Sequence, residues 1–523
     1  MSVMQIREAA VRAHRPRERA LSAAFALTCA VAPAIAAQSS PNLGAFDRYV
    51  ARAAHDWRIP GLAIAVVKND SLVFAKGYGV IEIGKPAPAT EHTRFAIGST
   101  TKAMTSAALA MLVDEGKLKW DDHVIDYLPD LRFYDPYATR ELTVRDLLTH
   151  RTGLPGTDLL WAVPENSYSM PEMIRRLRYV KPSSSFRSHW EYQNVVYAIG
   201  GLLVERLSGM SWETFVRTRI FAPLQMTETI PLVSELRSKP NVAMPHDLTN
   251  DTVHTVAIRT TDAIASAGSV WSSVYDMSKW MRFILDSGRV GTKRLIRPET
   301  FTELVTPQMR APREEYPALG LARPMFFSYA LGWFVQEYHG HTIWMHTGSI
   351  DGMSAIIGLM SDRRVGVYVL ANLDHAELRH ALMYKVFDLY TASGSDSGRD
   401  WSADVKALFA AKRAAAAAAA AAAPKPSVGT HPSLPLDRYA GTYADSTYGT
   451  VTVTLANGIL RARFGNWDIG ELQPASYDGF RSRKTDPLQG ITDVTFIPDG
   501  AGHISAVQLF GQAFPRATPS DGT

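Results

Sequence analysis

Two side chains in "FAIGSTTKAM", residues 95–104, are of types that can do chemistry together. Ser99 and Lys102 stand three positions apart, where an apolar run turns helical. Residues i and i+3 share a helix face, so the amine can reach the hydroxyl. A serine hydroxyl attacks a carbonyl well only when a base takes its proton. A lysine can be that base when desolvation or neighbouring donors leave it neutral part of the time. A helix N-terminus also favours negative charge developing nearby. By itself the pair is also an ordinary helix cap, and Ser-x-x-Lys recurs by chance in long chains.

Two further stretches offer partners. "HWEYQNVVYAIGG" (189–201) places Tyr192 and Asn194 just ahead of an apolar helix. A phenol there can relay a proton between the serine, the lysine and a leaving group. The Asn194 amide can bond the lysine and a substrate carbonyl. A buried tyrosine followed by a helix-capping asparagine would read the same way. "IWMHTGSIDGMSAIIGLM" (343–360) holds His346, Thr347 and Gly348 in a strand-like context. A glycine there lets a substrate backbone lie close to the strand, and a turn between two strands is the plain alternative. His339, His341 and His346 cluster in sequence, with the first two expected on one side of a strand. No acidic or cysteine partner completes a metal-ligand spacing, so neither a metal nor another cofactor is expected. A Gly-x-Ser-x-Gly elbow is missing, which argues against an α/β-hydrolase.

The elements around these residues mix strand and helix signals. "LAIAVVKNDSLVFAKGYGV" (62–80) reads as a hairpin turning at "KNDS". Residues 103–117 read as a helix stopped by Gly116. "LTVRDLLTHRTGLP" (142–155) reads as a short helix with Thr143 and Asp146 as capping pair, ended by Gly153 and Pro155. "RVGVYVLAN" (364–372) is a buried-strand candidate. Strands at both ends with helices between predict an α/β or α+β layered domain whose sheet joins its own termini. Trp161, Trp190 and Trp271 are candidates to wall a site, with core packing the default for each.

The flanks differ from this body. A basic segment and the apolar run "LSAAFALTCAVAPAIAA" end in Ala34-Ile35-Ala36, the pattern of an export signal over residues 1–36. Export to a periplasmic or extracellular site is the expectation, with a retained anchor or an organelle transit peptide as alternatives. The single cysteine, Cys29, falls inside this run, so the rest of the chain can form no disulfide. The formal net charge is +4, of which the first 36 residues carry +3 (five Arg, two Glu). A body near +1 gives no electrostatic case for nucleic acid or an anionic membrane. Past the signal, no other stretch is apolar for long enough to span a membrane. Residues 37–393 form the expected catalytic domain. Residues 394–430 are a linker around the alanines 414–423, helical and without chemistry of its own. Residues 431–519 alternate Val451, Val453 and Leu455 with threonines and turn at Asn457-Gly458 and Asp499-Gly500, which predicts a small antiparallel β domain, sandwich or barrel. The sequence leaves the oligomeric state open.

Taken together, Ser99-x-x-Lys102, Tyr192-x-Asn194 and His346-Thr347-Gly348, in this order and spacing, resemble the serine β-lactamase and penicillin-binding protein superfamily. The tyrosine motif is similar to the branch of class C β-lactamases, D-Ala-D-Ala carboxypeptidases and related esterases. The resemblance covers residues from roughly 45 to 390, and the C-terminal part resembles a small lipocalin-like domain. It implies an antiparallel sheet flanked by helices plus a helical subdomain. It also implies an acyl-enzyme on Ser99, with Lys102 and Tyr192 sharing base and acid work. The backbone N–H groups of Ser99 and Ser349 would form an oxyanion hole, and Asn194, His346, Thr347 and Gly348 would orient lysine and substrate. Substrates would be small molecules or short peptides, either amides or esters. His346 stands where class C enzymes carry lysine. An imidazole grips a carboxylate less well than an ammonium, so peptidase, amidase or esterase activity is expected ahead of efficient cephalosporin hydrolysis. A penicillin-binding sensor or inert scaffold is the competing expectation.

Overall fold

The computed structural model describes residues 41–163, 167–249, 251–391, 398–422, 430–486 and 490–517. The export-signal reading and Cys29 lie outside these residues. The expected hairpin forms as β1 (Gly61–Lys68) and β2 (Ser71–Gly79). Asn69 and Asp70 both take positive φ, 48° and 64°, as a tight two-residue hairpin turn requires. Six more strands complete an antiparallel sheet: β3 (Met309–Arg310), β4 (Phe327–Tyr329), β5 (Phe334–Tyr338), β6 (His341–Ile350), β7 (Met353–Met360) and β8 (Val365–Ala371). Their spatial order is β2-β1-β8-β7-β6-β5-β4-β3. β1 pairs with β8 from Leu62 opposite Ala371 to Lys68 opposite Val365, so the sheet does join the ends of the region.

Both faces of this sheet are covered, which is why β1 and β8 read as unbroken apolar runs. Ala63, Ala65 and Val67 enter one core, and Leu62, Ile64 and Val66 enter the other. The first core holds helices α2 (Lys102–Asp114), α3 (Asn194–Ser208) and α4 (Val274–Leu285). The second holds α1 (Leu43–Asp56) and α5 (Leu378–Thr391). The chain between β2 and β3 carries helices and short turns with only brief two- to four-residue strands, forming the expected helical subdomain. The short helix expected over 142–155 is only Val144–Leu147, with the Thr143–Asp146 capping box in place. It stops early because His150 takes φ +56° and turns the chain back.

The alanine-rich segment is helical, as α6 (Trp401–Ala422). Its first turns are docked rather than free: Trp401 and Val405 are buried in the second core. The C-terminal strands are β9 (Gly441–Asp445), β10 (Gly449–Ala456), β11 (Ile459–Phe464), β12 (Trp467–Ser476), β13 (Gly479–Asp486), β14 (Gly490–Pro498), β15 (Ile504–Leu509) and β16 (Gln512–Pro515). They follow one another as an up-and-down antiparallel sheet. A bridge between Tyr443 and Arg516 brings the last strand back to the first, so the sheet is barrel-like.

Candidate active site

Ser99 sits in a 3₁₀ turn, Gly98–Thr101, that feeds directly into α2. The turn is pinned from both sides. Thr100 donates to the Ile97 carbonyl at 2.8 Å and pairs with the Tyr368 hydroxyl of β8 at 2.6 Å. The Ile97 N–H reaches the Val270 carbonyl. Gly98 takes φ +50°, and a Cβ there would lie 2.8 Å from the Ser349 nitrogen. Gly348 is equally constrained, since a Cβ would come 1.9 Å from the Ile97 carbonyl oxygen. The expectation that Gly348 admits a substrate backbone is corrected: what lies against its Cα is the chain's own Ile97–Gly98 turn.

Lys102 is fully buried, and its ammonium has three partners. They are Ser99 Oγ at 3.0 Å, Asn194 Oδ1 at 2.7 Å and the Ala267 carbonyl at 2.9 Å. Burial pushes its pKa down to about 7, with Asp158 opposing. A neutral amine keeps two hydrogens and one lone pair. Asn194 Oδ1 and the Ala267 carbonyl can only accept, so they take the two hydrogens. The lone pair is then left for the Ser99 hydroxyl.

Tyr192 completes the group. Its ring centroid is 4.7 Å from the Lys102 nitrogen. Burial pushes the phenol well above its ordinary value, opposed by a side-chain hydrogen bond with Ser99. The segment carrying it is held by His150 on both sides. The His150 carbonyl accepts from Glu191 N–H at 2.8 Å, and its Nδ1 accepts from Gln193 N–H at 3.1 Å. The imidazole itself lies 4.2 Å from the Tyr192 ring. Accepting at Nδ1 puts the proton on Nε2, which is buried without a partner among the described residues.

The third stretch is placed differently from expectation. His346 is buried and is not among the residues that line the cavity over Ser99. Its Nδ1 must donate to the Thr347 carbonyl at 2.6 Å, so Nε2 accepts from the Tyr329 hydroxyl at 2.9 Å. Burial, reinforced by Lys102, lowers its pKa to about 3, so it is neutral at neutral pH. The direct substrate contact expected of His346 is therefore corrected: its ring packs among Tyr329, Phe334 and Tyr192 behind the wall. Thr347 does line the cavity and pairs with the Tyr316 hydroxyl at 2.8 Å. His339 packs on Tyr338 in the turn before β6, and His341 pairs with Asp362 at 2.6 Å, so the three histidines serve different neighbours. Among the described residues no group of three His, Cys, Asp or Glu is arranged to hold a metal, and no helix is long and apolar enough to cross a membrane.

The Gly348–Ser349 peptide can be oriented from its surroundings. The Gly348 carbonyl accepts from Arg379 Nη1 at 2.7 Å, and the same nitrogen lies 3.4 Å from the Ala355 carbonyl on β7. The carbonyl thus faces β7. In a trans peptide the N–H points the opposite way, so Ser349 N–H faces the edge of β6. That edge is open here because β5 pairs with β6 only as far as Met345. The Ser99 turn sits against it.

The cavity over Ser99 has a volume of about 440 Å³. Ser99, Tyr192, Asn194, Thr347 and Ser349 line it, together with several residues the sequence did not mark. Asp158 accepts from Asn194 Nδ2 at 3.2 Å and from Trp161 Nε1 at 2.9 Å, and so orients the amide that holds Lys102. Trp161, for which core packing is the default, takes the other reading and is part of the cavity wall. Glu315, Tyr316, Glu377 and Arg379 form the opposite side. Burial would raise Glu377, but the Arg379 guanidinium at 2.9 Å and His380 at 2.7 Å together outweigh it and hold the carboxyl at about 2. Phe409 of α6 also reaches the cavity, so the segment expected to be a spacer contributes to the wall.

Known proteins agree with this architecture. Residues 46–389 match the family model described as Beta-lactamase, and residues 425–520 match a domain of unknown function, DUF3471. An unguisins hydrolase, ungD, from Aspergillus violaceofuscus is 29% identical over 81% of this chain and 79% of its own. The protein flp of Staphylococcus aureus strain N315 is 26% identical over 63% of this chain and 62% of its own. Among solved structures, an octameric penicillin-binding protein homologue from Pyrococcus abyssi superposes with a TM-score of 0.60 at 20% identity, over 90% of this chain and 99% of that one. SurE gives a TM-score of 0.53 at 21% identity, over 91% and 99%.

Proposed function

The chain belongs to the beta-lactamase family, and on that footing we propose that it is a serine hydrolase that cleaves small esters or amides through an acyl-enzyme on Ser99. Ser99 Oγ attacks the acyl carbonyl as its proton passes to the Lys102 lone pair. The carbonyl oxygen, now negative, is met by the N–H groups of Ser99 and Ser349. Tyr192, held protonated by burial, hands a proton to the leaving group and is reprotonated from Lys102. Water then attacks the acyl-enzyme by the reverse proton path and frees Ser99. The observation that carries this reading is the Lys102 nitrogen at 3.0 Å from Ser99 Oγ, with its other two partners able only to accept. A hydrolase among the relatives supports the reaction class. The neutral, buried His346 supports esters and amides lacking a carboxylate beside the scissile bond.

The test is turnover of short p-nitrophenyl esters, nitrocefin and D-Ala-D-Ala peptides by wild type and Ser99→Ala. Ester cleavage with a pre-steady-state burst is expected, and both should vanish in the variant. Equal rates in the two proteins would end the reading. Stable labelling by a fluorescent penicillin without release would replace it with a sensor.

A further inference from the structure

The Arg379 guanidinium is almost wholly buried and grips the same peptide unit whose N–H is assigned above to the oxyanion. We propose that Arg379 is a positioning residue for that reaction, one that polarises the Gly348–Ser349 peptide so that Ser349 N–H becomes a stronger donor to the developing oxyanion. The inference rests on the serine hydrolase reading and deepens it.

Three observations carry it. Arg379 Nη1 donates to the Gly348 carbonyl at 2.7 Å and to Ser349 Oγ at 2.8 Å, so one charged nitrogen holds both residues of the unit. A donor that is itself charged makes a shorter, stronger bond than a neutral one. It withdraws electron density from the carbonyl, and the amide at the other end of the conjugated unit becomes more positive, as hydrogen bonds in a chain polarise one another. The opposed directions of C=O and N–H then place this gain at the open edge of β6, beside the Ser99 turn. The guanidinium is in turn fixed. Nη2 meets Glu377 Oε1 at 2.9 Å, and Glu377 Oε2 pairs with His380 Nδ1 at 2.7 Å. Arg379 exposes only 4% of its surface, so water does little to screen the bond. The geometry also explains how the site manages with a histidine in the third motif. The charged donor behind the oxyanion, ion-paired with Glu377, comes from the helix after β8 and acts through a peptide, and not from residue 346.

The experiment uses the full chain and a neutral short p-nitrophenyl ester, so that a lost carboxylate contact cannot account for the result. Arg379→Lys keeps a charged donor, Arg379→Gln keeps a neutral one, and Arg379→Met keeps bulk alone. The expected order of kcat is wild type, Lys, Gln, Met, with Met at least about tenfold down and KM within about twofold; loss of a whole oxyanion donor costs about a hundredfold or more. Affinity for a phenylboronic acid, whose adduct with Ser99 is tetrahedral, should fall in the same order. A merely structural role would instead make the variants follow their melting temperatures. If Met fails to fold, Lys against Gln gives the same comparison. Wild-type kcat in Gln and Met, or a loss confined to KM, would overturn the inference while Ser99-dependent cleavage persisted. If cleavage is independent of Ser99, the underlying reading fails first and this one with it.

Discussion

In the proposed mechanism Lys102 is the base, and burial shifts its proton affinity into the working range. Its amine is the base only when neutral, and it is neutral above about pH 7. The ratio kcat/KM should therefore rise with pH through a single limb near 7 and then level. His346, lowered to about 3, and His150, lowered well below its ordinary value by burial, are neutral across that range and add no limb. Stability carries the same signature with a definite sign. Between about 7 and 10.5 the unfolded chain holds a proton on Lys102 that the folded chain does not, so stability rises with pH across this window. At 1.36 kcal/mol per pKa unit, the rise attributable to Lys102 is on the order of 5 kcal/mol. Denaturant midpoints of wild type and Lys102→Met, measured from pH 7 to 10, should draw apart in favour of wild type. Parallel curves, or a pH–rate limb unmoved from the ordinary lysine range, would contradict the buried-base account. Ser99, Lys102, Tyr192 and Asn194 were marked in the sequence because three short motifs in one order resemble a known family, whereas each motif alone reads equally well as a cap or a core residue. Asp158 and Arg379 were not, because they reach the site only through tertiary packing. Asp158 lies 36 positions before the Asn194 it orients, and Arg379 lies 31 after the carbonyl it grips.

At the scale of elements, β6 and α6 depart from what their letters suggest. The strand's alternation and its glycine were readable, but not what the glycine admits, because the Ile97 turn it accommodates is about 250 residues away in sequence. The alanine run does read as a helix, since alanine has the strongest helix propensity. Its anchoring comes from the residues before it. Trp401 stacks on Tyr384 at 4.7 Å and donates from Nε1 to Asp388 at 2.6 Å, while Trp57 donates to Ser402 at 3.0 Å. That anchor presents Phe409 to the cavity two turns later. Two substitutions separate anchor from wall. Trp401→Ala should cost about 3–5 kcal/mol of stability through its cavity and also raise KM as α6 loosens. Phe409→Ala, at a half-buried position, should raise KM several-fold for longer acyl chains and leave the melting temperature near wild type. If KM is unchanged in Phe409→Ala at every chain length, α6 is only a tether.

Over the whole molecule, an antiparallel β domain was legible, since alternation and an Asn-Gly turn are local signals, but neither its closure into a barrel rather than a sandwich nor its place beside the active site was. The turn between β9 and β10 lies against the segment that carries Asp158 and Trp161. Tyr168 donates to the Tyr448 carbonyl at 3.1 Å, and Arg176 donates to the carbonyls of Ser446 and Thr447 at 3.1 and 3.0 Å. Arg176 also covers the Tyr168 ring at 4.1 Å. Tyr448 is nearly buried, and burial, then Asp445 and Asp158, push its phenol up to about 12, so it feels the carboxylate that orients Asn194. A route therefore runs from the Tyr448 carbonyl through Tyr168, whose N–H donates to the Leu160 carbonyl of the Asp158 turn at 2.9 Å, to Asn194 and Lys102. Physical coupling along that route predicts a non-additive double-mutant cycle in kcat/KM. Tyr448→Ala should act by letting the Asp158 turn move, and Asp158→Asn by removing the charge that holds the Asn194 amide. Once either is made, the other has less left to disturb, so the double variant should be less impaired than the product of the two. Neighbouring groups typically show interaction energies of about 0.5–3 kcal/mol, and independent sites add to within roughly 0.3–0.5 kcal/mol. A cycle that closes within the smaller range would mean that the barrel rests against the rest of the chain without any influence on the proposed proton relay.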